Sequence, residues 1–186
     1  MGLELKPTLW RSCRVLANRH RLRLLRCLLQ KSPQTVAEVA AGVRLPVPVA
    51  SQYLRMLQAR GLLLSERSGR EVFYSDRADP LVPSAAGLLA AMKTALGPSE
   101  ESLRDARFAL TAFTHPRRIQ IVRTLGARAL SGEDLSRATG ISARALRRHL
   151  DKLRRRGVLS RDAELVTRSR KPSPLMQALI RLACGD

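Results

Sequence analysis

The apolar residues of this chain recur at the three- and four-residue spacing of amphipathic helices, so the sequence predicts a mostly helical protein. The predicted helices of the first half cover about residues 8–17, 19–30, 35–43, 47–60 and 81–96. Leu22, Leu25 and Leu29 are expected to form the buried stripe of the second helix. Thr35, followed three residues later by Glu38, has the spacing of a capping box at the start of the third helix.

The period changes from helix to strand after Gly61, a residue suited to the left-handed position that ends a helix. Leu62–Leu64 and Glu71–Tyr74 are predicted to be short strands, and Ser68-Gly69 between them suits a tight turn. The expected fold class is therefore mostly α with small β-hairpins, an α+β fold.

The second half of the chain repeats this order of elements. Arg21–Leu28 aligns with Arg118–Leu125 at an offset of 97, and Tyr53–Leu63 aligns with His149–Leu159 at an offset of 96. The match lies mainly in apolar positions and helix breakers, which indicates a duplicated fold more strongly than a duplicated function.

The repeat predicts two pseudo-equivalent domains, called copy 1 (residues 1–97) and copy 2 (residues 98–186) below. The helices expected in copy 2 cover about residues 99–113, 116–127, 132–139, 143–156 and 174–183. A pair of strands is expected after Gly157, and Ser131 with Asp134 repeats the capping pair of copy 1.

Both copies are strongly basic. Lys and Arg number 34 against 15 Asp and Glu, a net charge of +19 that divides into +9 for copy 1 and +10 for copy 2. Such a balance favours a polyanionic partner, nucleic acid first, although an arginine-rich genome and a solvated surface are an alternative explanation. Aromatic residues make up only 3% of the chain, which argues against the base-stacking surfaces of single-strand binders.

Five segments of copy 1 together carry a resemblance to a known family: Leu16–Leu25, Thr35–Ala40, Ala50–Leu57, Gly61–Leu63 and Gly69–Tyr74. They resemble the ArsR/SmtB family of bacterial winged helix–turn–helix transcriptional repressors, and copy 2 is similar to a diverged second domain of that kind. The resemblance implies a tandem winged helix–turn–helix regulator of transcription, in which the fourth helix of each domain enters the major groove of double-stranded DNA. The family pairs its first and last helices across a dimer, so one chain with both sets is expected to form an intramolecular pseudo-dimer, with a homodimer as the lesser possibility.

The residues expected to contact DNA lie on the outer faces of the two fourth helices and at the tip of the first hairpin. They are Ser51, Gln52, Arg55, Arg67, Arg70, Arg144, Arg147, Arg148, His149 and Lys152. Arginine suits guanine edges and phosphates, and His149 is a candidate phosphate contact.

The two copies are not expected to read DNA equally. Residues 46–49 of copy 1, Pro-Val-Pro-Val, offer a base edge no hydrogen-bond donor at the start of the fourth helix. In copy 2 the helix is strongly basic, but the hairpin is about three residues shorter and its turn, Asp162-Ala163, lacks a glycine. A winged-helix adaptor that binds proteins instead of DNA is the alternative, and Val47 with Val49 leaves copy 1 ambiguous on that point.

No metal, cofactor or catalytic site is expected. The resemblance would suggest metal sensing, but residues 35–43 hold no Cys or His, and residues 81–96 hold no Asp, Glu or His. The three cysteines, Cys13, Cys27 and Cys184, are widely spaced and are expected to be buried thiols. Phosphate-binding loops and hydrolase or metalloprotease motifs are missing from the sequence. With no membrane span or signal peptide in the pattern, a cytoplasmic protein is expected.

Overall fold

The computed structural model describes residues 8–160 and 165–185, and these residues form ten α-helices and one three-stranded antiparallel sheet. The helices of copy 1 are α1 (Leu9–Leu16), α2 (Arg19–Gln30), α3 (Val36–Val43), α4 (Val47–Gln58) and α5 (Ala85–Ala95). Those of copy 2 are α6 (Glu100–Leu110), α7 (Pro116–Leu125), α8 (Gly132–Thr139), α9 (Ala143–Arg155) and α10 (Pro174–Cys184), with a 3-10 turn at Thr111–Phe113. The predicted mostly α fold with a small hairpin is confirmed.

Local capping signals fix where several helices begin. Thr35 and Glu38 form the predicted capping box, in which each side chain accepts the backbone N–H of the other residue. Ser131 accepts the N–H of Asp134 in the equivalent place of copy 2. Asn18 caps α2 by accepting the N–H groups of residues 20 and 21. These short-range bonds satisfy donors that a helix start leaves without an intrahelical acceptor.

The sheet belongs to copy 1 and has the order β1-β3-β2, with β1 at Gln34–Thr35, β2 at Leu64–Ser68 and β3 at Glu71–Ser75. The predicted strand at residues 62–64 was wrong, because only Leu64 of that stretch is in the ladder. Leu62 and Leu63 are instead buried in the core, and the N–H of Leu62 donates to the Leu57 carbonyl at the end of α4. Ser68 pairs with Glu71, so the turn falls on residues 69 and 70, one residue later than expected.

Copy 2 has only the outline of a hairpin in the described residues. Two isolated bridges, Leu130 with Val166 and Leu159 with Arg168, stand where copy 1 has ladders. The predicted pair of strands in copy 2 is therefore reduced to these bridges, and the predicted turn at residues 162–163 lies outside the described residues.

The core of each copy is built from the apolar faces of its helices. Leu22 and Leu25 of α2 are fully buried as predicted, but Leu29 is only half-buried, and Leu28 takes its place in the core. The buried sets of the fourth helices are Ala50, Leu54 and Leu57 in α4, and Leu146, Leu150 and Leu153 in α9, as predicted. Each fourth helix consequently holds one face inward and turns the opposite face to solvent.

The two copies pack against each other through equivalent helices. The first helix of copy 1, α1, contacts the first helix of copy 2, α6, and the last helix of copy 1, α5, contacts the last helix of copy 2, α10. The approach of α5 to α10 is close, since a Cβ at Gly87 would lie 2.9 Å from Cδ2 of Leu182. No helix among the described residues is long and apolar enough to cross a membrane.

Ion pairs and hydrogen bonds also connect the start of copy 2 to copy 1. The Glu100 carboxylate at the start of α6 accepts from Arg23 at 2.9 Å and from Arg26 at 3.2 Å, both on α2. Arg26 also donates to the carbonyls of Pro98 and Ser99, each at 3.0 Å. Hydrogen bonds from the Arg23 side chain, and less from that of Arg26, hold the pKa of Glu100 below its usual range. Arg26 therefore attaches the short segment between α5 and α6 to copy 1, and Arg23 attaches the first residue of α6.

Candidate nucleic-acid interface

The outer face of α9 is the most basic helix surface of the two helix–turn–helix units. Its inward face holds the three buried leucines, and the amphipathic period places Arg144, Arg147 and Arg148 on the exposed side. Lys152 lies one turn further along and is half-buried. Burial, with smaller contributions from neighbouring arginines such as Arg156, lowers the pKa of Lys152. Arg144, Arg147, Arg148 and Lys152 thus lie on one side of the helix.

The outer face of α4 is weaker in charge and donors. Gln52 and Arg55 are exposed, and Ser51 is half-buried. At the start of the helix, Val47 is 49% exposed, and the prolines on either side of it are exposed as well. The turn that would enter a groove first therefore presents apolar carbons, as the sequence predicted.

The hairpin of copy 1 carries the other predicted basic residues. Arg67 is the fourth residue of β2, and Arg70 follows Gly69 in the turn; both arginines are exposed. The Nε of Arg67 donates to the Gly69 carbonyl at 3.4 Å. Gly69 has a φ of +60°, which a glycine adopts at little cost in a two-residue hairpin turn. The tip consequently presents two guanidinium groups at the end of a paired ladder.

His149 occupies a different environment from the exposed arginines of its helix. It is half-buried, and its ring centroid lies 4.7 Å from that of His115, with the two ring planes tilted by 44°. A surface cavity of about 780 Å³ surrounds this pair and is lined largely by basic side chains of α7 and α9. Burial lowers the pKa of His149, and the neighbouring His115 and Arg118 lower it further.

The contact of His115 with His149 was not predicted, although the alignment of the two copies relates both positions to a pair of neighbouring positions in copy 1. At an offset of 97 His115 stands where copy 1 has Asn18, and at an offset of 96 His149 stands where copy 1 has Tyr53. In copy 1 the Tyr53 ring faces His20, two residues after Asn18, with centroids 6.4 Å apart. The start of the second helix and the middle of the fourth are thus adjacent in both copies.

The cysteines differ in burial more than expected. Cys13 is fully buried, and burial raises the pKa of its thiol strongly, whereas Cys27 and Cys184 are half-buried. An Nη2 of Arg168 lies 3.1 Å from the Cys184 sulfur. Among residues 8–160 and 165–185, no three His, Cys, Asp or Glu side chains lie together in a group that could hold a metal ion.

Comparisons with known proteins match each copy separately. Residues 16–66 match the family model described as "Helix-turn-helix domain", and residues 115–161 match the model described as "Bacterial regulatory protein, arsR family". The protein "HTH-type transcriptional repressor SmtB" of two Mycobacterium tuberculosis strains, CDC 1551 / Oshkosh and ATCC 25618 / H37Rv, is 44% identical over 46 residues.

That alignment covers 25% of this chain and 34% of the SmtB sequence, so the chain spans about a third of the length of the curated relatives it matches. No solved structure matches. Each copy carries its own helix–turn–helix match, and one matched segment belongs to the arsR model. The chain therefore contains two helix–turn–helix domains in tandem and is similar to ArsR/SmtB-type regulators.

Proposed function

We propose that this protein binds double-stranded DNA and represses transcription, with α9 and α4 as the helices that enter the major groove. The observation that carries the proposal is the row of exposed arginines on the outer face of α9, the second helix of a helix–turn–helix unit. The net charge of +19 supports a polyanionic ligand, and the SmtB relative is itself named a transcriptional repressor. A repressor of this kind acts at the chromosome and is a cytoplasmic, non-catalytic protein.

The two copies divide the work in this proposal. Arg144, Arg147 and Arg148 of α9 read base edges, because a guanidinium can donate two hydrogen bonds to guanine O6 and N7. In copy 1 the hairpin arginines hold the DNA backbone, while Ser51 and Gln52 contribute weak base contacts. The operator is therefore asymmetric, with one half-site strongly specified.

The domains, divided near residues 97 and 98, act as an intramolecular pseudo-dimer. The packing of α1 on α6 and of α5 on α10 supports this arrangement, because both pairs join equivalent helices of the two copies. Attachment of the intervening segment to copy 1 by Arg26 keeps the partner domain at high effective concentration. A homodimer of chains is the alternative assembly.

DNA binding in this proposal needs no metal. The third and last helices of copy 1 lack the ligands that metal sensing would require there, since α3 has no Cys or His and α5 has no Asp, Glu or His. Among residues 8–160 and 165–185 no clustered ligands lie together through which metal binding could shift the protein between two states.

The proposal is tested by selecting bound sequences from random duplex DNA, followed by measuring affinity against salt. We expect one asymmetric site with half-sites roughly one duplex turn, about 10 base pairs, apart. With about 6–8 phosphate contacts, log K should fall with log salt at a slope of about −0.9 per phosphate. A strict palindrome would favour the homodimer of chains.

A protein–protein adaptor is the second candidate, and the exposed Val47 at the start of α4 is the observation that favours it. Selection that enriches no sequence, together with affinity that is flat in salt, would support the adaptor and contradict DNA binding. Val47→Ser separates the two functions, because it removes an apolar contact from an adaptor surface and leaves every basic side chain in place.

A further inference from the structure

His115 and His149 form a titratable pair at the junction of α7 and α9. His115 is the N-cap of α7, and its Nδ1 accepts the backbone N–H of Arg117 at 3.1 Å. This acceptor role puts the ring proton of neutral His115 on Nε2, which remains able to donate. The His149 ring lies against it at 4.7 Å between centroids.

The surroundings of the pair are strongly positive. The charged groups that face it are Arg117 and Arg118 from α7, and Arg148, Asp151, Lys152 and Arg155 from α9. Asp151, the one acid of this set, is also 3.9 Å from Arg154. Arg118 is already held by the Ala112 carbonyl and by the Thr114 hydroxyl at 2.7 Å, so it contributes charge from a fixed position. A cation would be repelled from this cavity, and an anion would be attracted to it.

We propose that this cavity binds one phosphate group of the DNA backbone, and that His149 takes up a proton from solvent as the phosphate enters. The inference rests on the proposed function and adds a residue, His115, and a pH dependence to it. The cavity lies beside Arg148, on the outward face of the helix proposed to enter the groove, so a phosphate at the groove edge would be within reach.

His149, and not His115, is the group that gains the proton. Protonation of His115 at Nδ1 would remove the acceptor that caps α7, and its donor at Nε2 is already available in the neutral form. In the DNA-free protein burial and the neighbouring positive groups lower the pKa of both imidazoles. A phosphate brings negative charge next to the rings and raises the pKa of His149 in the complex.

The direction of the pH effect follows from that difference. Because the complex binds one more proton, affinity rises as pH falls between the pKa of His149 in the complex and its lower pKa in the free protein. The largest possible slope is about tenfold in affinity for each pH unit, the value for uptake of one proton. Above the higher pKa and below the lower one, this contribution to affinity is constant.

The first test measures the dissociation constant for one duplex at fixed ionic strength from about pH 5.5 to pH 8. Wild type should bind more tightly as pH falls, and His149→Gln, which cannot be protonated, should lose most of that slope. His20→Gln is the matched control, since His20 lies at the start of α2 in copy 1 and outside this cavity. It should keep the wild-type slope.

The second test follows the imidazole resonances of the wild-type, full-length protein by NMR during pH titrations. Because no substitution is made, a variant that fails to fold cannot affect the result. Duplex DNA should raise the pKa of His149. Inorganic phosphate, the second arm, should give a smaller rise, because it lacks the neighbouring phosphates that hold DNA in place.

The outcomes separate the inference from the proposed function. If the duplex binds and wild type and His149→Gln show the same pH slope, the histidine site is wrong and DNA binding stands. If the pKa of His149 rises with inorganic phosphate but not with duplex, the assignment of the site to DNA is wrong. If no duplex binds at any pH, the proposed function fails and the inference fails with it.

Discussion

The two copies share a fold and differ in where their basic side chains lie. In copy 1 the hairpin is a complete ladder with two exposed arginines at its tip, while α4 begins with exposed Val47 between prolines. In copy 2 the described part of the hairpin is two isolated bridges, while α9 exposes arginines along its outer face. The two copies therefore share a scaffold, and each has one well-developed half of the proposed DNA-binding surface.

Residues that pack have changed less than residues that face solvent. Arg21 in α2 donates its Nε to the Val15 carbonyl, and Arg118, its equivalent in α7, donates its Nε to the Ala112 carbonyl. Both arginines fix the second helix to the end of the first. The exposed positions of the fourth helices, by contrast, are neutral or singly basic in α4 and repeatedly basic in α9. Arg21 and Arg118 are thus packing arginines that the repeat retains.

The largest effect is expected from replacing Arg144, Arg147 and Arg148 of α9 together by alanine. Each base or phosphate contact is worth about 1–3 kcal/mol, so the triple variant should lose about a thousandfold in affinity for the selected site. Sequence preference should disappear with it. Competition binding against random duplex DNA measures both quantities.

The matched control in copy 1 is Ser51→Ala with Gln52→Ala. These side chains are half-buried and exposed, respectively, on the weaker helix, and their loss should reduce affinity by less than about tenfold. Equal losses for the two sets of substitutions would contradict the assignment of sequence reading to copy 2.

Gly61 and Gly157 are equivalent glycines that follow the fourth helix of each copy, and the space around them differs. Gly61 has a φ of +68°, and a Cβ there would lie 2.7 Å from the side chain of Val82, which is buried. Gly157 has a φ of +74°, but a Cβ there would have no neighbouring atom within 4 Å, so only backbone strain opposes a substitution. Gly61→Ala should therefore lower the free energy of unfolding by about 2–4 kcal/mol, and Gly157→Ala by about 1 kcal/mol.

Urea denaturation checks this pair of substitutions. Far-UV circular dichroism follows both copies, and fluorescence of Trp10, the single tryptophan, reports on copy 1. A smaller loss for Gly61→Ala than for Gly157→Ala would mean that the Val82 contact yields more easily than the close distance implies.

The features that the sequence predicted well are local. The bounds of α2 match at Arg19 and Gln30, the capping box forms at Thr35, and Gly61 adopts the left-handed conformation, because each depends on residues within a few positions. The strand β1 was not predicted, since two residues, Gln34 and Thr35, give no periodic signal and pair with a strand some 40 residues later. Short pairings of this kind are decided by the tertiary fold.

In the candidate site, too, the features that depend on local sequence were predicted and the contact that depends on the tertiary fold was not. Exposure of the α9 arginines followed from the period of its leucines, and the position of the hairpin arginines followed from the turn. The contact between His115 and His149 joins residues 34 positions apart, so no local pattern contains it. Only the alignment of the two copies related these positions. In copy 1 the aromatic rings of His20 and Tyr53 lie near the equivalent positions and face each other.

A smaller effect is expected from the hairpin of copy 1. Arg67→Ala with Arg70→Ala removes two predicted phosphate contacts and should weaken binding about tenfold on every duplex, without changing sequence preference. The slope of log K against log salt should become less steep by about one for each phosphate that is no longer bound. A change in the selected sequence, in place of a uniform loss, would show that the hairpin reads bases.

The smallest effect is expected from zinc, and it tests whether the histidine pair that distinguishes copy 2 is an anion site or a metal site. Two imidazoles as close as His115 and His149 could be considered zinc ligands. Arg117, Arg118 and Lys152 line the same cavity, however, and their positive charges repel a divalent cation. A stoichiometric amount of zinc should therefore leave the affinity for DNA within about twofold, because zinc binding is not coupled to dissociation of the protein from DNA. Binding at pH 7.5, with and without a chelator, measures this directly. If zinc weakened binding tenfold in wild type and not in His149→Gln, the pair would be a metal site; the same loss in both proteins would point to the half-buried Cys27 or Cys184 instead.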